Sequence, residues 1–182
     1  LLVTAFLFLR NLGRAQVTDP GFEVNHALIV QMGFVQGRAD ADQAGLLRRA
    51  ANEVRTIPGV VDASFSNAVP LSVHSGSSNG MSARIGRNAE AEHVEFNRAY
   101  VGPSYFSTMG IRLLAGREFR DSDAPGTPKV AIISEEFSRR YFRGADPVGQ
   151  HVRFTEADDY EIVGVVANSK FRTLGEGPRG VL

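Results

Sequence analysis

The chain has 182 residues, 43% apolar and 22% charged, with 20 basic side chains against 20 acidic ones and no cysteine. This is the composition of a folded globular chain, long enough to bury about 70% of its unfolded surface. Zero net charge lacks the basic excess that tracking a phosphate backbone or an anionic lipid surface requires, so nucleic acid is excluded as a natural partner. The absence of cysteine removes disulfides, thiolate metal sites and cysteine nucleophiles together.

Leu1 to Leu9 read LLVTAFLFL, with Thr4 the one polar residue and Arg10 next. A segment of nine residues falls short of the roughly 20 apolar residues that cross a bilayer. The segment therefore reads either as a short buried core helix or as the trailing end of a transmembrane helix, over residues 1–10. Arg10 and Arg14 stand where the positive-inside rule favours a cytoplasmic face. Residues 11–25, with the turn-prone Asp19-Pro20-Gly21, form a linker.

From His26 to Val35 alternation puts Leu28, Val30, Met32 and Phe34 on one face, which predicts a half-buried strand. Asp40 with Gln43 three residues on resembles a capping box. It starts a helix whose apolar stripe runs through Leu47, Ala50, Ala51, Val54 and Ile57, and Pro58-Gly59 ends that helix. Val61, Ala63 and Phe65 alternate with polar neighbours as a second strand, completing a β-α-β unit. Residues 70–91 turn to Ser, Gly and Asn and predict a flexible loop.

Val94, Phe96 and Tyr100 mark a third strand. Gly102-Pro103 opens a short helix from Ser104 to Met109, closed by Gly110, and Ile111 to Phe119 is extended. The turn-rich stretch 121–128 separates this lobe, 26–120, from a second α+β lobe at 129–182. There Val130 to Ile133 predicts a buried strand. Ser134 can cap the helix after it, with Glu135 and Glu136 near its positive end and Arg139, Arg140 and Arg143 near its negative end. Gly144 terminates it. His151 to Phe154 and Tyr160 to Val166 then pair as a hairpin.

The titratable residues form no catalytic pattern. Histidines 26, 74, 93 and 151 lack metal-ligand spacing. His93-Val94-Glu95 has the H-x-E of a zinc deaminase without its cysteines. Asp121, Asp123, Asp158 and Asp159 lack the glycine and further carboxylate of a calcium loop. Ser134 sits at a strand-to-helix junction without the glycines of a nucleophile elbow. The sequence names no catalytic residue, metal ligand or cofactor site. An envelope hydrolase would need titratable groups to converge, for instance His151 with Asp158 or Glu161. A membrane-tethered ligand-binding or sensory module would need a preformed apolar pocket.

Several segments in fixed order carry a family resemblance. Asp19-Pro20-Gly21-Phe22 and Pro58-Gly59-Val60 come first, then Tyr100 to Ile111, YVGPSYFSTMGI, and Leu114 to Phe119, LAGREF. After them come Val130 to Ser134, Asp146-Pro147-Val148-Gly149-Gln150 and Glu161 to Val166, EIVGVV. This order resembles the MacB-like periplasmic core domain of ABC-transporter permeases, particularly the duplicated permeases of acidobacteria and their relatives. Gln150 departs from the family's basic residue after the glycine.

The resemblance implies an α+β fold of two lobes, one a porter-like β-α-β lobe, outside the inner membrane between the first two transmembrane helices. The second lobe would be truncated near Leu182. It also implies a non-catalytic domain without cofactors that couples helix motion to export or extrusion of a substrate. ATP would be hydrolysed on a separate cytoplasmic domain or subunit. Its partners would be other permease segments, that ATPase, a second copy as homodimer and a periplasmic adaptor. The motif residues it carries over as structural are Gly21, Phe22, Gly102, Tyr105, Phe106, Gly110, Gly116, Arg117, Asp146, Pro147, Gly149 and Gly164.

Overall fold

The computed structural model describes residues 19–33, 40–71, 78–86, 90–124, 126–171 and 173, together with Thr4, Phe6, Arg10 and Gly13. The elements in chain order are α1 (Asp40–Arg55), β1 (Ser78–Ile85), β2 (Ala91–Asn97), α2 (Tyr105–Thr108), β3 (Leu113–Gly116), β4 (Val130–Ser134), α3 (Glu135–Phe137), β5 (His151–Arg153) and β6 (Asp159–Val166). A π-helical turn, Ser138–Phe142, extends α3. The fold class is α+β. The reading of residues 1–10 as the end of a membrane span lies outside the described residues, apart from Thr4, Phe6 and Arg10, which are helical and exposed. Among the described residues no helix is long and apolar enough to cross a membrane.

Six strands form one sheet in the order β2-β1-β5-β6-β3, with β4 beside β6. The β4–β6 pair is parallel and the other pairs are antiparallel. Strands covered on both faces read as continuous apolar runs rather than as alternation, and VAIIS and IVGVV are such runs. Ala131, Ile133, Ile162 and Val165 enter a first core with Ala83, Ile85, Val94, Phe96, Phe137, Phe142 and Val152. Ile132, Val163 and Val166 enter a second core with Met109 and Ile111, flanked by Phe22, Tyr105, Phe106 and Phe119.

Along β6 the switch between faces accompanies a register shift. Ala131 pairs with Ile162, but Ile132 pairs with Gly164, which leaves Val163 as an extra residue. Such a bulge changes which face each subsequent side chain meets. It sends Val165, rather than Gly164, to the same core as Ile162.

The helix after β4 starts as expected, with the Ser134 hydroxyl accepting the Phe137 N–H at 3.3 Å. It then widens into the π turn, which brings Phe142 round to the core that Phe137 occupies. A wider turn places residues five apart closer to one face than an α-helix does. Arg143, in the left-handed region at φ 51°, ends it just before Gly144.

Three sequence expectations change. A strand occupies Ser78–Ile85, inside the stretch 70–91 that composition predicts as a flexible loop; residues 72–77 and 87–89 lie outside the described residues. Pairing with β2 on one side and β5 on the other supplies the hydrogen bonds, and the alternating Ala83 and Ile85 supply the buried face. Polar composition hid a strand with one apolar face. Conversely, residues 26–33 carry no strand, and Leu28 and Val30 are 89% and 73% exposed. Alternation alone makes no ladder where no neighbouring strand supplies partners.

Residues 61–65 likewise form no ladder, and Ser66 makes an isolated antiparallel bridge to Val101. Helix α1 matches its expected start. Its last residue, Arg55, ties it to the next segment by donating to Asp62 at 2.7 Å and to the Ala63 carbonyl at 2.6 Å. Of its apolar stripe Ala51 is buried, whereas Val54 and Ile57 remain exposed.

Candidate functional site

Five motif segments distant in sequence meet at the second core. Asp19 accepts the Gly21 N–H at 2.8 Å, which folds Asp19-Pro20-Gly21-Phe22 into a tight turn. The Pro20 carbonyl then accepts the Lys170 N–H at 2.7 Å, and Glu23 N–H donates to the Met109 carbonyl at 2.8 Å. Gly21 has φ 79°, and a Cβ there would lie 2.6 Å from the Asn168 carbonyl oxygen. Both conditions call for glycine. Phe22 packs on the second core beside Tyr105 and Phe106, whose rings meet edge to face at 5.4 Å. Burial pushes the Tyr105 hydroxyl above its ordinary range.

Gly102 lies under the Phe65 ring, where a Cβ would come within 2.6 Å of a ring carbon. Its N–H donates to the Phe65 carbonyl at 2.8 Å. Gly110, after α2, faces Glu23. These contacts bind α2 between the Asp19–Glu23 turn and residues 65–66.

Gly116 and Gly164 stand directly opposite each other where β3 crosses β6. A Cβ on Gly116 would lie 2.2 Å from the Val163 carbonyl oxygen, and one on Gly164 would lie 2.5 Å from the Arg117 carbonyl oxygen. Arg117 N–H donates to the Val163 carbonyl at 2.8 Å. Its guanidinium clasps Asp123 through two bonds of 2.7 and 3.0 Å, and Asp123 also accepts the Arg120 N–H at 2.8 Å. The Arg117 hydrogen bond, outweighing the desolvation of the carboxylate, holds Asp123 below the usual carboxylate range. Sequence reasoning placed Asp123 in a turn and missed its pairing with Arg117. An acidic residue six positions beyond the arginine was the available signal.

Asp146-Pro147-Val148-Gly149 is a turn in which Asp146 accepts the Val148 N–H at 3.0 Å. Pro147 is buried, and Gly149 N–H donates to the Ile162 carbonyl at 2.8 Å. Gln150, in place of the family's basic residue, donates its amide back to the Asp146 carbonyl at 2.5 Å and so closes the turn.

A polar cluster lies across β5 and β6. His151 Nδ1 is 3.0 Å from Asp159, which also accepts from Arg153 at 2.6 Å. Desolvation raises the Asp159 carboxyl, but hydrogen bonds from Arg153 and His151 outweigh it and hold the group below its usual range. The histidine's partner is thus Asp159, while Asp158 pairs with Lys129 at 2.6 Å. Among the described residues no serine or threonine hydroxyl is hydrogen-bonded to His151, so the pair has no nucleophile to activate. Arg98 lies over the rings of Tyr100 and Tyr160, 4.8 and 5.3 Å from their centroids.

Among the described residues no group of three or more His, Asp or Glu side chains could hold a metal ion. Two cavities among the described residues, of about 10 and 120 Å³, are smaller than the roughly 300 Å³ at which small-molecule pockets begin. Glycine crossings, an Arg–Asp clasp and tight turns fix how the segments around β6 are joined.

The profile of the MacB-like periplasmic core domain matches residues 1–181, and the chain belongs to that family, a domain of ABC-transporter permeases. No curated protein matches it significantly. Among solved structures, the periplasmic region of MacB from Actinobacillus actinomycetemcomitans is 18% identical, with a TM-score of 0.44 over 72% of this chain and 60% of that one. A domain of a putative permease protein from Porphyromonas gingivalis is 22% identical, with a TM-score of 0.44 over 69% of this chain and 47% of that one. The extracellular domain of the noncanonic ABC-type transporter YknZ from Gram-positive bacteria is 20% identical, with a TM-score of 0.45 over 74% and 60%. The chain therefore spans about half to three fifths of the length of these structures.

Proposed function

We propose that this chain is the non-catalytic extracytoplasmic domain through which an ABC permease of the inner membrane passes helix motion, driven by ATP, to an exported or extruded substrate. The family match over residues 1–181 carries this reading. ATP is hydrolysed on a separate cytoplasmic domain or subunit, and the other partners are the remaining permease segments, a second copy and a periplasmic adaptor. The twelve motif residues serve as the stiff frame for that coupling. Their support is the convergence of distant segments on β6 through backbone contacts too close for side chains.

In this reading residues 26–120 form the porter-like lobe, completed within the assembled permease. The exposed Leu28, Val30, Val54, Ile57 and Val61 support it, because apolar surface left open is available as a contact face. The boundary at 121–128 is part of the same proposal, although strands from both sides of it share the sheet.

The chain contains no cysteine, so paired labels can be placed at single positions. Cysteines at Val61 and Thr127, both exposed, would be spin-labelled in the complete permease reconstituted with its ATPase. The inter-label distance should change between the nucleotide-free and ATP-bound states. Identical distance distributions in every nucleotide state, with transport intact, would refute mechanical coupling through this domain. Deleting Ser75 to Gly80 would test partner contact in the stretch 70–91, but it removes the start of β1, which begins at Ser78. Alanine replacement of exposed Ser82 is the cleaner probe of that region.

A further inference from the structure

Among the described residues, strand β2 is an end strand of the sheet, paired on one side with β1. On its other side the Tyr141 hydroxyl meets one residue twice. It accepts the Glu95 N–H at 2.9 Å and donates to the Glu95 carbonyl at 3.3 Å. A neighbouring strand would make the same two bonds, so this one hydroxyl stands in for a strand at Glu95. The Tyr141 ring is held for the task by Phe137, 4.7 Å away, and by the first core. Arg143, two residues on, reaches Glu92 of the same strand at 3.9 Å.

In an antiparallel ladder, residues whose main chain faces the partner alternate with residues whose main chain faces away. Glu95 faces away from β1, and the β1–β2 register runs without a shift from Ala91 to Asn97. Ala91 and His93 therefore share the outer edge with Glu95, while Asn97, of the same parity, is buried. An unguarded row of this kind is a template for strand addition.

The sequence of that edge is complementary to itself. If two copies of β2 pair antiparallel about Val94, His93 of each faces Glu95 of the other. The two opposed His93–Glu95 pairs then exchange two main-chain bonds each, about four across the seam. The opposed side chains are complementary, an imidazole N–H of His93 facing the Glu95 carboxylate as an acceptor.

We infer that Tyr141 guards a self-complementary edge, its hydroxyl occupying the groups through which β2 would otherwise add to β2 of a second copy. The inference does not depend on the transport reading, because it rests on the edge geometry alone.

Tyr141→Ala removes both the hydroxyl and the ring that stands where a second strand would lie. Sedimentation velocity over a wide range of concentrations should show the variant self-associating at least about tenfold more tightly than the parent chain. Tyr141→Ala with His93→Pro should return to the parent's behaviour, since proline removes an edge N–H and is tolerated on edge strands. A well-folded Tyr141→Ala that associates no more tightly than the parent overturns the inference. So does association that survives His93→Pro. The parent chain provides an independent reading by hydrogen exchange. The Glu95 amide should exchange more slowly than that of His93, and equal rates would overturn the assignment even if Tyr141→Ala did not fold.

Discussion

Replacing either glycine at the crossing of β3 and β6 should break the sheet locally, and the two sites should not behave independently. A methyl group on Gly116 would sit 2.2 Å from the Val163 carbonyl oxygen and 2.8 Å from Gly164 Cα. Carbon–oxygen contacts ordinarily begin at about 3.3 Å. Both neighbours are backbone, so the strands must part by about 1 Å, which stretches the Arg117 N–H to Val163 bond now at 2.8 Å. Orphaning that buried carbonyl costs about 1–3 kcal/mol. The φ of 73° at Gly116 adds about 1–2 kcal/mol for a residue with a Cβ.

Gly116→Ala should therefore lose about 3 kcal/mol, or roughly 6–12 °C in melting temperature for a chain of this size. Gly164→Ala lacks the φ penalty and should lose about 2 kcal/mol, through the same separation of strands. Because the chain has no tryptophan, urea unfolding is best monitored by circular dichroism. Once one methyl has parted the strands the second meets less resistance, so the double variant should be less destabilised than the sum of the singles. Single variants each within about 0.5 kcal/mol of the parent would refute the claim that this close approach holds the sheet together.

Other consequences are independent of that crossing. Gly102→Ala should destabilise by about 1–3 kcal/mol as its methyl meets the Phe65 ring; adding Phe65→Leu should recover part of the loss, and no recovery would locate the strain elsewhere. The Arg117–Asp123 clasp depresses the Asp123 pKa, so its contribution is present above the unfolded value, about 3.8, and lost as pH falls through the lower folded value. Urea titrations should thus show Asp123→Asn weaker than the parent at neutral pH, with the difference shrinking below about pH 4; a gap that stayed constant with pH would exclude the clasp as its cause. Val61 is fully exposed, so Val61→Asp should leave the stability of this chain within about 0.5 kcal/mol of the parent while impairing transport by the complete permease. Full transport would argue against the contact role of that face.

Much of the molecule was legible in local pattern. The start of α1, the Ser134 cap, the run Val130–Ile133 and the hairpin of His151–Arg153 with Asp159–Val166 depend on neighbours a few residues apart, and periodicity reports such neighbours directly. The glycine-centred segments that carry the family resemblance were legible too, because glycine marks unusual backbone wherever it is required. What each glycine meets was not. Gly102 under Phe65, Gly21 beside Asn168 and Gly116 against Gly164 are pairings between residues 37, 147 and 48 positions apart in the numbering.

The sequence by itself determined the α+β class, the absence of cysteine chemistry and the family to which the chain belongs. The tertiary structure decided whether a potential strand became one. Residues 26–33 have the alternation of a strand and no described neighbour to bond with, whereas Ser78–Ile85 has a loop-like composition and a partner strand on each side. It also decided that Tyr141, an ordinary residue in the sequence, lies against the edge of β2. The physical reason is the same in each case. A strand's hydrogen bonds are made to residues distant in the chain, so its existence belongs to the sheet and not to the segment.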